Sequence, residues 1–397
     1  MGILLIVIWI LMFMLLILLH ELGHFWGAKK TGVKVKEFWI GLPPKVGTMR
    51  TDKSGTAFTL NRIPLWGFCS LEGDTPETFY AKDGIVMAKL RKKLIIIFGG
   101  VVMNLLTAWL IFTFLFWHGV QPLGISPMEE SESYLIPHVS FLEKKGFLSG
   151  GTISWVQILE VKEDSLAQEL GIEVGDSITA INGKEVDMGT IHQALKQGRN
   201  RQDNVLSLIA WNEGSSWEPV LKTFSCDEEC TLWIVMIQNS TWEVMDIKFW
   251  LWWAMLAALQ EIRAEWNLTF KALGKLWGSL FSFDGRKIKE AFNSLAWPVG
   301  AVKMGELFYR TGGRMAYLAF AGIISLALAI FNLLPIPALD GGRGIGIVLQ
   351  ALFRRKPEKY FQYEGYVNAF FFYLLVALGV AIIVKDLIFF RGVGAGL

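Results

Sequence analysis

The sequence predicts an α-helical polytopic membrane protein of about four transmembrane helices. A membrane-associated β-sheet region and an inserted extracytoplasmic α+β domain complete the expected fold class. Three observations point there. Of 397 residues, 53 % are hydrophobic, including 17 Trp and 28 Phe, and the mean hydropathy is +0.41, above ordinary soluble chains. The apolar residues concentrate in four runs, near 3–28, 94–117, 315–334 and 367–384, each about the 20 residues that cross a bilayer. Between the second and third runs, residues 119–246 alternate apolar and polar positions as strands of a soluble module do. The net charge of +2 is too balanced for nucleic-acid binding, so the expected partner is the lipid bilayer.

The first run, Ile3 to Ala28, lacks a basic leader segment and a small-x-small cleavage site. It is therefore expected to be a retained helix rather than a signal peptide. It carries His20-Glu21-Leu22-Gly23-His24. On a helix, positions i and i+4 share a face, so both imidazoles can point at one metal ion, with Glu21 placed to take a proton from water. A chance pentapeptide is the alternative, but ionisable groups inside an apolar run are costly and mark function.

Basic residues follow at once: Lys29, Lys30, Lys34, Lys36, Lys45, Arg50, Lys53 and Arg62. Residues 33–73 read as short strands, Phe38 to Pro44, Thr56 to Leu60 and Ile63 to Phe68. They form either a sheet dipping into the membrane face, its backbone shielded by protein, or an ordinary soluble hairpin. A second basic cluster, Lys89 to Lys93, abuts the second run, Leu94 to Trp117. Basic flanks make the segment between the first two spans cytoplasmic. Gly99, Gly100 and Asn104 interrupt the second run. The glycines allow close helix contact, and Asn104 serves either packing or the support of a site.

Residues 119–246 then lie outside the membrane on the far side. Ser154 to Val161 alternates like a strand, Ser165 to Ile172 reads as a short helix, and Thr190 to Gln197 and Val205 to Trp211 as another helix and strand. Gly175 to Val186 spells G-D-x-I-x-x-I-N-G-x-x-V, with a hairpin turn at Asn182-Gly183. That string resembles a PDZ domain, over about 152–225. Such domains capture extended peptides by strand addition, so an extracytoplasmic peptide is a possible partner. Cys69, Cys226 and Cys230 are no disulfide framework. Cys226 and Cys230 either pair or remain thiols.

Residues 247–313 read as an interfacial amphipathic segment, Trp-rich from Ile247 to Leu259 and mixed from Phe270 to Phe283. A further span there would put the later segments on the wrong side. Residues 314–397 hold the last two spans. The third ends in Asn332-Leu333-Leu334-Pro335-Ile336-Pro337-Ala338-Leu339-Asp340-Gly341-Gly342-Arg343, where the prolines stop the helix. Arg354, Arg355, Lys356 and Lys359 form a second basic loop before the span Val367 to Val384. Four spans put His20, His24 and Asp340 on one side. A catalytic zinc site keeps three protein ligands and one open position. Asp340 is the best third ligand on this reading, although a turn aspartate before Gly-Gly is the commoner meaning of such a residue.

H-E-L-G-H on the first span, N-L-L-P-I-P-A-L-D-G-G on a late one and a PDZ-like module between resemble the site-2 protease family. The bacterial regulator-of-sigma-E protease branch is the most similar. E-F-W-I-G-L-P-P-K from Glu37, I-P-L-W-G-F from Ile63 and W-P-V-G from Trp297 fit that branch too. The resemblance implies zinc held by His20, His24 and Asp340, with Glu21 as catalytic base. It implies that Asn332 holds the substrate backbone or oxyanion. The segment Phe38 to Val46, with Ile40, Gly41 and Leu42 at its centre, would be a reentrant β-loop that pairs with an unwound substrate. The implied activity is intramembrane cleavage of single-span membrane proteins, such as anti-sigma factors or remnant signal peptides, in regulated intramembrane proteolysis. The implied place is the bacterial inner membrane, with the active site toward the cytoplasm and the PDZ domain filtering substrates outside. The chain departs from the branch in having one PDZ-like module where enterobacterial members have two. Val101 stands where Pro is frequent, and Leu42-Pro43-Pro44 replaces a Gly-rich loop. A catalytically silent PDZ scaffold or a metal transporter would have no use for Glu21 beside the two histidines.

Overall fold

The computed structural model describes the chain apart from residues 1, 127–130, 150–153, 162–165, 170, 173–175, 182–183, 186–203, 210–219, 225–233, 241–242, 281, 283–285, 287–298, 354–356 and 394–397. It contains two compact units, residues 1–123 with 248–397, and residues 124–247. The turn at Asn182-Gly183, the helix at Thr190 to Gln197, Cys226, Cys230, Trp297 and Arg354 to Lys356 lie outside the described residues.

The larger unit starts with α1, Gly2–Thr31. Its end is closed by the Thr31 hydroxyl, which donates to the Gly27 and Ala28 carbonyls, and by Val33 N–H donating to Ala28 O. Two long strands follow, β1 Val35–Thr51 and β2 Ala57–Leu71. The Asp52 carboxylate accepts the Ser54 and Thr56 N–H groups and so fixes the turn between them.

Both strands bend near their middles, and the register records it. Residues 35–40 face 67–71 on one side and, from Glu37 to Ile40, 57–60 on the other, while 45–51 faces 57–61. The sheet is thus folded back on itself, with 45–51 and 63–71 at its edges. Phe38, Cys69, Leu71 and Val35 are buried with Ala28 of α1 and with Ile96 and Ile97. A free-standing hairpin is therefore not what these residues form.

The helices α2, Leu90–Ile97, and α3, Gly99–His118, meet at Phe98. A Cβ on Gly23 would lie 2.1 Å from the Gly99 carbonyl oxygen, so only glycines let α1 and α3 cross this closely.

The second unit carries α4, Val139–Lys145, β3, Leu148–Ser149, and β4, Ser154–Val161. Then come α5, Leu166–Glu169, β5, Ser177–Ile181, β6, Lys184–Glu185, and β7, Asn204–Ile209. It closes with β8, Val220–Phe224, β9, Ile234–Ser240, and β10, Glu243–Val244. The main sheet has the order β8-β7-β5-β4-β9 with β6 beside β5, and β10 pairs β3. Among the described residues of this unit, Ile158 and Ile178 of the sheet, Ala167 of α5, and Leu135, Leu142 and Ile247 are fully buried. The alternation seen in the sequence thus becomes an antiparallel sheet.

Back in the larger unit, α6 spans Leu251–Leu280. The sequence reads this stretch as an amphipathic helix with Trp anchors lying in the interface. In the structure it is one continuous helix, because no proline interrupts it and its glycines, Gly274 and Gly278, fall near its end. Ala254 and Ala258 are buried, Trp109 Nε1 donates to Met255 O, and Trp250, Trp252 and Trp253 are exposed.

The helix α7, Val299–Leu333, breaks at Gly313, where φ is 64°. After Pro335 and Pro337 the chain turns and enters α8, Asp340–Leu352, and then α9, Pro357–Val393. Among the described residues, four segments are long and apolar enough to cross a membrane: Val7–Thr31, Leu90–His118, Gly312–Leu333 and Lys359–Val384. The chain is a multi-pass membrane protein.

Candidate metal centre

One turn of α1 separates His20 from His24, and the helical period puts their imidazoles on one face, edge to face, with Nε2 atoms 3.2 Å apart. The start of α8 brings Asp340 to both, its Oδ2 lying 3.0 Å from His20 Nε2 and 3.4 Å from His24 Nε2. The ligating atoms of His20, Glu21 and His24 lie within 4.8 Å of one another. All four residues named from the sequence therefore meet at one point.

The two imidazoles are oriented from behind. His24 Nδ1 lies 2.9 Å from the Ile96 carbonyl oxygen, which can accept only a proton on that nitrogen. Its Nε2 is then left as a lone pair aimed at the site. His20 Nδ1 lies 3.2 Å from the side-chain amide of Asn104, a fully buried residue on α3 whose Oδ1 has no partner. Rotating that amide by half a turn satisfies the oxygen with the Nδ1–H and frees His20 Nε2 as well. Asn104 is itself tied to α7, since Ser325 Oγ donates to its backbone carbonyl.

Three acceptor atoms thus converge, and Asp340 Oδ2 is buried without a hydrogen-bond donor. That arrangement repels itself unless a cation sits between them. Ligands about 2.0–2.1 Å from a tetrahedral zinc lie about 3.3 Å apart, and the observed separations are 3.2, 3.0 and 3.4 Å. Two nitrogens and one carboxylate oxygen suit zinc. Cys69 is no rival ligand: burial, then the charges of Glu21 and Asp74, push its thiol pKa upward.

Close packing of backbone leaves room for the group. A Cβ on Gly100 would lie 2.5 Å from His20 Cε1 and 2.7 Å from His24 Nε2. On the other side, a Cβ on Gly341 would lie 2.3 Å from Leu333 O and one on Gly342 2.2 Å from Ile336 O. These glycines let α8 start against the end of α7, which swings Asp340 inward.

Glu21 accepts the backbone N–H of Cys69 on its Oε2 at 3.1 Å. The carboxylate is thereby aimed along the 63–71 edge of the sheet. The remaining sequence candidates sit elsewhere. Asn332 donates its amide to Leu328 O, one turn back in its own helix. Ile40 is flanked by both Gly67 and Leu60. The Gly41 carbonyl accepts from Asn61, and Leu42 faces Ile63. Asn104, which the sequence left between packing and support of a site, lies behind His20, while Gly100 and the Cys69 N–H were not singled out for the site by sequence. A glycine pair and a buried amide inside an apolar run were the available signal.

A polytopic membrane chain with an H-E-x-x-H pair and a converging aspartate defines a membrane metalloprotease. The chain belongs to peptidase family M50, whose model matches residues 8–378. Curated relatives agree along the whole length. The "Putative zinc metalloprotease" of Clostridium perfringens is 28 % identical, over 96 % of this chain and 97 % of its own. A protein of the same description from Streptococcus pyogenes is 26 % identical, over 96 % and 98 %. The "Probable membrane metalloprotease ARASP2, chloroplastic" of Arabidopsis thaliana is 26 % identical, over 94 % of this chain and 77 % of its own.

Proposed function

We propose that this metalloprotease cleaves transmembrane segments of single-span membrane proteins, with His20, His24 and Asp340 as zinc ligands and Glu21 as the base. The observation that carries the reading is the convergence of two Nε2 atoms and one Oδ2 within 3.4 Å, beside Glu21 and at the ends of apolar helices. Bound zinc would supply a water of pKa about 7 and a polarised scissile carbonyl.

The protein's own groups do the rest. Glu21 takes a proton from the attacking water and passes it to the leaving amine. A transmembrane helix hides its backbone in internal hydrogen bonds, so the substrate must unwind before attack. The edge 63–71 runs past Glu21 and, among the described residues, pairs only with β1. It is the surface on which an unwound strand would be held extended. Ile40, Gly41 and Leu42 would support that edge from within the sheet, and Asn332 would reach the substrate only after giving up its bond to Leu328.

The basic flanks of the first two spans favour an active site facing the cytoplasm of a bacterial inner membrane, with residues 124–247 outside. On that reading the outer unit is a PDZ-like filter that admits substrates already trimmed, as in regulated intramembrane proteolysis. Deleting residues 152–225 should preserve zinc and permit cleavage of untrimmed substrates; unchanged discrimination would sink the filter.

The central test is Glu21→Gln in the purified full chain. Zinc content should persist while cleavage of a co-expressed single-span substrate falls to background. Retained cleavage would overturn the assignment of Glu21.

A further inference from the structure

Asp340 owes its position to a helix that otherwise touches little of the protein. The apolar window of α9 is only 6 % buried, against 56 % for that of α7. Polar contacts of α9 nevertheless reach both sides of Asp340. Asn368 Oδ1 accepts the Ala338 N–H at 3.0 Å. Ala338 is the only described non-glycine residue with positive φ, at 75°, a strained conformation that needs support from its surroundings. Three residues after Asp340, Arg343 Nε donates to Glu364 Oε1 at 3.4 Å. Glu364 stands one turn before Asn368 on α9.

We infer that Asn368 and Glu364 are positioning residues for the third zinc ligand. They bracket Asp340 between a strained residue two positions before it and an arginine three positions after it. Without the bracket, Ala338 can relax, and the first turn of α8 can rotate Oδ2 away from the two imidazoles. Glu364 and Asn368 are polar groups in a span-length apolar helix, and such groups are costly unless they perform a task. The inference rests on Asp340 being a zinc ligand.

The swap of two groups provides the test. In Glu364→Gln/Asn368→Asp, an aspartate oxygen still accepts from Ala338. The glutamine amide donates to that aspartate, and its oxygen accepts from Arg343. Both contacts to the Asp340 turn and the net charge survive, while the Arg343–Glu364 ion pair becomes a neutral hydrogen bond. Zinc affinity of the purified full chain is measured by competition with a chromophoric chelator, alongside thermal unfolding of the metal-free protein.

Asn368→Leu should weaken zinc binding about ten- to a hundredfold, the usual effect of losing a group behind a ligand, while metal-free unfolding stays put. The swapped double variant should recover affinity to within a few-fold of the starting protein. Asn368→Leu at full affinity, or a double variant as weak as Asn368→Leu, overturns the bracket. Asp340→Ala is run beside them. If it binds zinc normally, the ligand reading itself fails. If it loses zinc while Asn368→Leu does not, only the bracket fails.

Discussion

The two sides of the metal centre hold their donors in different ways. On α1, helical period alone puts His20 and His24 on one face, and the Gly23–Gly99 contact lets α3 close behind them. Asp340 has no such periodicity. It stands at the first position of α8, after two prolines and a positive-φ alanine, against carbonyls that only glycines can approach. A donor pair set by one helix survives small shifts of its neighbours. A donor set by an aperiodic turn inherits the errors of every element that touches it.

Substitutions at backbone contacts should break the two sides most severely. For Gly341→Ala, the new methyl would meet Leu333 O at 2.3 Å and Leu334 O at 2.4 Å, both backbone. Purified Gly341→Ala should contain no stoichiometric zinc although all three ligands remain, and normal zinc content would refute the turn's role. Gly100→Ala places a methyl 2.6 Å from His20 Nε2. It should also lose zinc, yet because imidazoles can swing about χ1 the loss should be partial at high metal concentration. Equal and complete loss in both variants would erase the contrast.

Asn104→Ala tests the softer support of the helical side. Removing the amide frees one imidazole but leaves His24 tied to Ile96. Zinc affinity should fall about tenfold, the low end for such partners, and a fall as large as that of Asp340→Ala would show that α1 is no more self-sufficient than the turn.

The smallest effect concerns Asp74, whose pKa burial raises despite the nearby charge of Arg343. A carboxyl raised in the folded state stabilises most below the unfolded pKa of about 4 and loses that contribution as pH rises through the folded value. Asp74→Asn should therefore raise the unfolding temperature at pH 7 and leave it unchanged below about pH 4. A loss of stability at pH 7 would mean that Asp74 matters chiefly as the counterion of Arg343.

Much of this was readable beforehand. The four apolar segments follow from composition, because a bilayer demands length and apolarity and nothing subtler. Several strands of the second unit were readable from alternation, since successive side chains of a strand point to opposite faces. Other parts were not. The bends that fold β1 and β2 into a doubled sheet depend on pairing between residues 20 positions apart. Glu364 and Asn368 could have been noticed as polar residues entering the last apolar run, but nothing local says which turn they reach.

The sequence by itself determined the histidine pair, since helix geometry converts a spacing of four into a shared face. It also nominated Asp340, through charge topology and resemblance to a family. Only the tertiary structure decided that Asp340 Oδ2 lies 3.0 Å from His20 Nε2. That distance depends on glycine contacts, a strained alanine and a distant helix, and hence on long-range packing that no local period encodes.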